Sequence, residues 1–356
     1  MPKIYFKNNG NWSKVYYHLV TKTKNIKCLL TSDFVEVEND DLDENSSIVF
    51  YRTKKKTDIY YIGNVDIGIK YEYNKKTKKF VTYLFNPYQD DIGHVDTYTL
   101  VDHKNLAYRG GEKVVNVFIP ANYNPNKKYG LLYFYDSQNL FRNNPIYTTK
   151  NDPYGGWQLD EVLSCYNKDI IVVGIENADE YRERELSFKV KDKSYATIFD
   201  NQPTDAINGK LECLLSFVHE TLHPFIKKSY SIDEENIGVG GASCGGIAAF
   251  LTGVTYPERY KYVLAYSPAF LLYSDKYWIE FFKNMKYEKL PKIHIYSGSN
   301  DNLEIVIYET TKVVKPKLVA HGYPEELIKE TYIKEFLHNE IAWRLVLPTS
   351  FDFLLK

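Results

Sequence analysis

The stretch Ile237–Thr255 reads IGVGGASCGGIAAFLTGVT and runs from a short apolar β-type segment through a glycine-rich turn into a helical pattern. Its centre, from Gly241 to Gly245, is a G-x-S-x-G motif around Ser243. In this setting the glycines let neighbouring backbone segments approach each other closely. A strained turn then exposes the serine Oγ above the helix N-terminus. The alternative is a glycine-rich turn that only packs tightly, but the flanking strand and helix favour a nucleophilic serine.

Apolar β-type segments alternate with helical patterns on both sides of this motif. The predicted strands are Leu131–Asp136, Ile170–Glu176, Ile237–Gly241, Tyr262–Ser267 and Lys292–Gly298. The predicted helices are Gln158–Cys165, Lys210–Lys228, Gly246–Tyr256, Ile305–His321 and a C-terminal segment. Nearly continuous apolar strands separated by helices are typical of a mostly parallel sheet that helices cover on both faces. We therefore expect an α/β fold in this part of the chain.

Residues 1–90 have a different pattern, in which short alternating runs are separated by clusters of Asn, Gly, Asp and Lys. That pattern is typical of a small β-sandwich. Turn-forming residues concentrate in Asn86–Val95, so the domain boundary is expected there. At 356 residues, the chain also exceeds the usual size of one hydrophobic core. We predict two domains, a β-sandwich over 1–90 and an α/β domain over 91–356.

A serine hydroxyl is a weak nucleophile and needs an imidazole base whose tautomer is set by a carboxylate. The G-x-S-x-G setting predicts the chain order Ser, acid, His. Asp301 follows the predicted strand KIHIYSG and is the first candidate acid, with Glu304 as the second. Of the eight histidines, His338 lies beyond these acids in a short segment, FLHNEIAW, between helical stretches, whereas His321 precedes a glycine and is interpreted as a helix C-terminus. The predicted catalytic residues are therefore Ser243, Asp301 and His338.

Two backbone N–H groups must stabilise the oxyanion that forms on an attacked carbonyl. In a strand–turn–helix serine site they come from the residue after the nucleophile and from the loop after an earlier strand. Those residues are Cys244 and Gln138, the latter in the segment YDSQNLF, with Ser137 as its alternative. The Cys244 side chain is expected to be a small buried apolar group rather than a reactive thiol.

Charge and hydropathy disfavour several classes of function. Lys+Arg 45 against Asp+Glu 46 leaves a formal net charge of -1, so no basic field favours nucleic acid or an anionic membrane as a partner. The chain shows neither a signal peptide nor an apolar stretch long enough to span a membrane. A cytoplasmic location is therefore expected, although a chain trimmed of an export signal would begin in the same way.

The sequence also gives little reason to expect a metal. The four cysteines are widely spaced and form no CxxC pair, which argues against a disulfide scaffold and a zinc site. His219 and His223 share a helix face but lack the glutamate of an HExxH motif, so we interpret them as surface or packing residues. Backbone dipoles and a triad can stabilise the negative charge that develops on the attacked carbonyl, so no metal and no organic cofactor is expected.

Five segments from about Gly93 to the C-terminus carry a family resemblance. They are YFYDSQNLF, GGWQLDEVL, IIVVGIENADEYRERELSF, GGASCGGIAAFLTGVTYPERYKYVLAYSPAF and LHNEIAWR. In this order they resemble the putative esterase family, which includes enterochelin esterases, feruloyl esterases, S-formylglutathione hydrolases and bacterial mycolyltransferases. The resemblance implies an α/β-hydrolase fold, and its triad maps onto Ser243, Asp301 and His338.

The chain departs from this family at two positions beside the predicted oxyanion hole. Relatives usually have glycine at the position of Ser137 and often a larger apolar residue at that of Cys244. The geometry of the oxyanion hole and the shape of the pocket depend on these two changes.

The N-terminal segment Lys3–Leu19, KIYFKNNGNWSKVYYHL, resembles the opening of starch-binding carbohydrate-binding modules. This implies an immunoglobulin-like sandwich whose aromatic side chains stack on sugar rings of a glycan ligand. The later Trp-Pro-Gly turn of those modules is replaced by TKNIKCLL, and Trp12 is expected in the core, so Tyr17 and His18 are the candidate sugar contacts. The competing interpretation is a domain that shapes the active-site entrance, as in enterochelin esterases.

Together these features predict a serine carboxylesterase that acts on a small-molecule or oligosaccharide ester, with an acylated carbohydrate as first choice. Asn177–Phe188 and Phe270–Lys289, which includes Trp278, are expected to line the pocket. An acyltransferase would use the same triad and differ only in whether an alcohol replaces water. A glycan-binding protein with an inactive hydrolase scaffold is the alternative of a different class.

Overall fold

The computed structural model describes residues 1, 3–8, 11–42, 46–52, 55–56, 60–61, 66–74, 79–141, 156–166, 168–196, 204–285 and 289–355. The chain forms two compact units. The first unit contains Met1–Gly93, Asn139–Lys168 and Asn339–Lys356, and the second contains His94–Gln138 and Asp169–His338. Two segments that the sequence assigned to the α/β domain thus belong to the unit that holds the N-terminal strands. The division into domains at 1–90 and 91–356 stays a prediction.

Among the described residues, the first unit contains two small sheets and two helices. Its strands are β1 Lys3–Lys7, β2 Tyr16–Val20, β3 Asn25–Leu29, β4 Phe34–Glu36, β5 Ser47–Arg52, β6 Lys55–Lys56, β7 Tyr60–Tyr61, β8 Ile67–Asn74 and β9 Lys79–Phe85. One sheet has the order β4-β1-β8-β9 and the other β3-β2-β5-β6, with β7 paired to β5. The helices are α1 Leu159–Cys165 and α8 Glu340–Leu354, and a 3₁₀ helix covers Asn39–Asp41.

The two small sheets pack face to face through alternate side chains. Phe6 of β1 stacks on Phe50 of β5 with ring centroids 4.6 Å apart. The Trp12 ring lies 4.5 Å from that of Tyr71 on β8. All four residues are buried, so Trp12 lies in the core as the sequence predicts. The N-terminal strands therefore form a small sandwich, because alternation places every second side chain between the sheets.

The second unit is built on an eight-stranded sheet. Its strands are β10 Gly93–Val101, β11 Glu112–Pro120, β12 Tyr129–Tyr135, β13 Ile170–Ile175, β14 Ile232–Ala242, β15 Tyr262–Tyr266, β16 Lys292–Gly298 and β17 Ile328–Ile333. They lie in the order β10-β11-β13-β12-β14-β15-β16-β17. All neighbours from β13 to β17 are parallel, whereas β11 is antiparallel to β13. The predicted mostly parallel sheet is confirmed.

Helices connect these strands. They are α2 Arg182–Glu185, α3 Leu211–Phe217, α4 His223–Ser229, α5 Cys244–Thr255, α6 Asp275–Lys283 and α7 Asn302–Ala320. A π-helical turn, Val218–Leu222, joins α3 to α4, and 3₁₀ helices cover Ala107–Arg109, Asp179–Tyr181, Lys193–Tyr195, Asp205–Asn208, Phe270–Leu272 and Glu325–Leu327.

The sheet lies at the centre of the second unit's core. Every residue of β12, β13 and β15 is buried, so both faces of these strands are covered. Helix α5 packs against β14 and β15, and α7 packs against β16. In the described ranges no helix is long and apolar enough to cross a membrane. The packing leaves the carboxyl ends of the parallel strands as the edge where functional loops meet.

Candidate active site

Ser243 lies on a sharp turn between β14 and α5. Its φ of 56° and ψ of -120° lie in a region that non-glycine residues rarely adopt, at a cost on the order of 1–3 kcal/mol. The turn is held because Ser243 N donates to Tyr266 O at 2.9 Å and Ser243 O accepts from Ala269 N at 3.1 Å. A side-chain carbon placed on Gly241 would lie 2.3 Å from the carbonyl oxygen of Gly245. Glycine is therefore required at the start of the motif for the chain to pass so close.

The imidazole of His338 pairs with Glu304. His338 Nδ1 lies 2.8 Å from Glu304 Oε1, and Glu304 Oε2 accepts from Gly298 N at 2.8 Å. Glu304 is fully buried, and the His338 side chain is 15% exposed. When the Glu304 carboxylate accepts this hydrogen bond, Nδ1 carries the proton and Nε2 is the basic nitrogen of the ring.

Asp301 does not occupy the position expected of the acid. Its Oδ1 accepts from Glu304 N at 2.8 Å, and its Oδ2 accepts from His338 N at 2.7 Å. Asp301 is the N-cap of α7, and a cap side chain turns back toward backbone N–H groups of the first turn. The expectation that Asp301 contacts the histidine ring is thereby corrected. The second candidate, Glu304, makes that contact because it lies one turn into the helix.

The sheet brings Ser243, Glu304 and His338 to one edge. They follow β14, β16 and β17, which run parallel in the order β14-β15-β16-β17. Neighbouring strands lie about 4.8 Å apart, so the ends of β14 and β16 are roughly 10 Å apart. In the described part of the chain, no hydrogen bond joins Ser243 Oγ directly to the His338 ring. Such bonds are often long in enzymes without substrate and tighten when the substrate binds.

The predicted oxyanion donors are the backbone N–H groups of Cys244 and of Gln138 or Ser137. Ser137 N donates to Ile175 O at 3.3 Å, so this N–H is used within the fold and Gln138 is favoured over Ser137. The other donor, Cys244 N, belongs to the first residue of α5, where no intrahelical acceptor exists. A side-chain carbon placed on Gly245 would lie 2.9 Å from Asp136 Cβ. The segment that carries Gln138 therefore lies against the start of α5.

The Cys244 side chain is 5% exposed. Burial raises the pKa of its thiol to about 11, so it stays protonated at neutral pH. A protonated, buried thiol is a poor nucleophile, and the backbone N–H is the group that Cys244 offers to the site.

A family model described as Putative esterase matches residues 107–317 of the chain. The chain belongs to the putative esterase family. The match includes Ser243 and Glu304 and ends before His338. No curated protein matches the chain.

Solved esterase structures have the same fold as this putative esterase. A ferulic acid esterase from the anaerobic fungus Anaeromyces mucronatus is 17% identical, with a TM-score of 0.51, over 76% of this chain and 93% of that chain. The enterobactin esterase of Shigella flexneri, in the presence of enterobactin, is 14% identical, with a TM-score of 0.54, over 96% of this chain and 88% of that chain. At such low identity the similarity establishes the α/β-hydrolase fold.

An ion pair anchors the loop before Gln138 in this putative esterase, and sequence reasoning did not find it. Arg182 Nε lies 2.9 Å from Asp136 Oδ2 and 3.0 Å from its Oδ1, and Asn177 also donates to Asp136. Asp136 has a left-handed φ of 61°. Arg182 and Asn177 lie in the segment expected to line the pocket, and their role is to hold a strained loop.

The choice of acid had a sequence signal that pointed to Glu304. Asp301-Asn302-Leu303-Glu304 has the spacing of an N-cap residue followed by an acid at the third helical position. Such spacing assigns the first residue to the helix cap, and in this structure the later one bonds Gly298 N and His338 Nδ1 in place of the N-cap backbone.

The two candidate sugar contacts lie on opposite faces of β2. Tyr17 pairs with Phe50 and Cys28, on the face that packs into the sandwich, and burial raises the pKa of its hydroxyl. His18 pairs with Val49 and lies on the outward face, where its Nε2 contacts Asn25 Oδ1 at 2.9 Å. Side chains alternate along a strand, so one sugar ring cannot contact both from the outward face.

Other predicted residues pack within the fold of the putative esterase. His219 Nε2 contacts Tyr260 OH at 3.0 Å, and His223 Nδ1 contacts Tyr133 OH at 2.9 Å. Burial lowers the pKa of His219 to about 4, so the ring is neutral at pH 7. Trp278 is 1% exposed and borders a cavity of about 640 Å³ between α6 and α7. Within the described ranges no group of His, Cys, Asp and Glu is arranged to hold a metal.

Proposed function

We propose that the protein is a serine carboxylesterase in which Ser243 is the nucleophile, His338 the base and Glu304 the acid. The observation that carries this proposal is the buried Glu304 carboxylate against His338 Nδ1, at the sheet edge where Ser243 lies on a strained turn. A buried acid that orients an imidazole has the role of the third member of a triad.

In the proposed reaction, Ser243 Oγ attacks the ester carbonyl while His338 Nε2 takes its proton. The N–H groups of Cys244 and Gln138 donate to the oxyanion, which a water-excluded site stabilises more than bulk water does. When the tetrahedral intermediate collapses, the alcohol leaves with the proton from His338. Water then attacks the acyl-enzyme through the same histidine and releases the acid and Ser243. Glu304 orients the ring and stabilises the imidazolium.

An acylated carbohydrate is the proposed substrate class. Support comes from the first unit, where Tyr16 and Tyr51 stack on the outward face of β2 and β5 with ring centroids 5.6 Å apart. Both rings are half-buried, and His18 belongs to the same face. Flat aromatic surfaces with a polar neighbour suit sugar rings, which present apolar faces and polar edges. Ferulic acid esterases, by their name, act on esters of ferulic acid, which agrees with the ester hydrolysis proposed above.

The first experiment compares hydrolysis of short p-nitrophenyl esters by the wild type, Ser243→Ala and the exposed-serine control Ser13→Ala. We expect Ser243→Ala to lose about 10⁶-fold in kcat while the control keeps full activity. Equal rates in the wild type and Ser243→Ala would reject the triad. Tight glycan binding by a wild type that hydrolyses no ester would instead support the inactive scaffold.

An acyltransferase with the same residues is the nearest alternative, because only the acceptor of the acyl group differs. Product analysis with sugar acceptors in the esterase assay separates the two. Acylated sugar in place of free acid would identify the transferase.

A further inference from the structure

The carboxylate of Asp301 contacts the backbone of both residues that form the acid–base pair. Its Oδ1 accepts from Glu304 N at 2.8 Å, and its Oδ2 accepts from His338 N at 2.7 Å. The two residues lie on different elements, Glu304 in the first turn of α7 and His338 in the loop after β17. One side chain thus bridges the element that carries the acid and the loop that carries the base.

The His338 loop depends on such bridges because it has no regular structure of its own. Asn300 N donates to Phe336 O at 3.0 Å, and Asn300 Nδ2 donates to Glu335 O at 2.9 Å. The bond from His338 N to Asp301 Oδ2 is the next contact along this loop, and its acceptor is a carboxylate oxygen. Hydrogen bonds to ionised acceptors are roughly twice as strong as neutral ones. Asp301 therefore anchors the loop at the residue whose ring must meet Glu304.

We infer that Asp301 is a positioning residue that holds Glu304 and His338 in register, and this inference rests on the proposed function. The carboxylate of Asp301 bonds backbone N–H groups of Glu304 and His338, so it acts through these two residues. Reacting groups must be held closely, since a displacement of about 1 Å can cost on the order of 10²-fold in rate.

The rival explanation is a helix cap that only stabilises α7. A cap needs the bond to Glu304 N alone, and asparagine caps helices as well as aspartate does. In Asp301→Asn the amide oxygen can still accept from Glu304 N, but the NH₂ group cannot accept from His338 N. This substitution therefore separates the bridge from the cap and keeps the fold.

The test compares kcat, KM and melting temperature for the wild type, Asp301→Asn, Glu304→Gln and the double variant on a p-nitrophenyl ester. Asp192→Asn is the matched control, because Asp192 caps a short helix through Ser194 N at 2.9 Å and is not bonded to the triad. We expect Asp301→Asn to lower kcat by about 10²-fold with KM and melting temperature nearly unchanged. The control should keep wild-type kcat.

The double variant tests whether Asp301 acts through the acid–base pair. We expect the kcat of the double variant to equal that of Glu304→Gln alone. Once Glu304 lacks its carboxylate, the position of Glu304 relative to His338 no longer affects the rate. In NMR spectra, the downfield proton resonance of His338 Nδ1–H should broaden in Asp301→Asn and stay sharp in Asp192→Asn.

A wild-type kcat in Asp301→Asn, or a lowered melting temperature with unchanged kcat, would overturn the positioning role and leave a cap. Fully multiplicative losses in the double variant would also overturn it. These outcomes differ from failure of the proposed function, in which the wild type and Ser243→Ala would hydrolyse esters equally slowly.

Discussion

At the carboxyl edge of the eight-stranded sheet, Asp301, Glu304 and His338 are joined by hydrogen bonds. Glu304 is buried and bonded through both oxygens, to His338 and to Gly298. On the outward face of β2 and β5, in contrast, Tyr16 and Tyr51 are half-buried and positioned by strand register and by each other. The first region is fixed by directional hydrogen bonds, and the second offers apolar area with little directional bonding.

This difference sets the size of effect expected from substitutions in each region. A buried charged pair is costly to break because the remaining partner is left without its hydrogen bonds. A half-exposed ring that loses its neighbour is still solvated. Changes at the sheet edge should therefore alter rates by orders of magnitude, and changes on the outward face should alter affinity only modestly.

The largest effect in this comparison is expected for Glu304→Gln. The amide keeps the shape but cannot stabilise the imidazolium, and it allows the wrong tautomer of His338, so kcat should fall by about 10⁴-fold. Glu309→Gln is the matched control, because Glu309 lies on the same helix with 54% of its side chain exposed. Steady-state hydrolysis of a p-nitrophenyl ester measures both. Equal kcat values for the two variants would remove the contrast between the regions.

An intermediate effect is expected for Arg182→Ala. Without its partner, Asp136 no longer holds the strained loop that carries Gln138, and kcat should fall by about 10²-fold through loss of oxyanion geometry. KM should change less, since the ester is bound by other groups. Lys191→Ala, at an exposed position, is the control for loss of a positive charge. If Arg182→Ala matches that control in kcat, the loop does not depend on the ion pair.

The smallest effect is expected for Tyr51→Ala on the outward face. Loss of one stacking ring should raise the Kd for a soluble starch oligosaccharide by about threefold to tenfold. Hydrolysis of small esters should not change. Tyr17→Phe, on the packed face, should bind like the wild type in the same calorimetric titration. A larger loss of binding in Tyr17→Phe than in Tyr51→Ala would assign sugar contact to the other face.

The features of this site that could be predicted from the sequence are those encoded by residues adjacent in the chain. The elbow is contiguous, so Ser243, the preceding strand and the following helix could be predicted from neighbouring residues. Strand β17, IKETYI, was not predicted as a strand. It is an edge strand of the sheet, and its alternate polar residues hide the apolar signal that the central strands show. The place of α1 and α8 in the first unit was also hidden, because it depends on contacts distant in sequence such as Trp157 on Trp343.

The sequence by itself determined the parallel sheet and the strand–turn–helix around Ser243, because periodicity and turn chemistry depend on adjacent residues, and it singled out His338 by its place after the candidate acids. Only the tertiary structure decided which of two carboxylates three residues apart meets the imidazole. That choice depends on where α7 begins and on how the loop after β17 crosses it, so it follows from the packing of two separate elements. The tertiary structure also decided which of Tyr17 and His18 faces outward, since strand register is set by pairing partners.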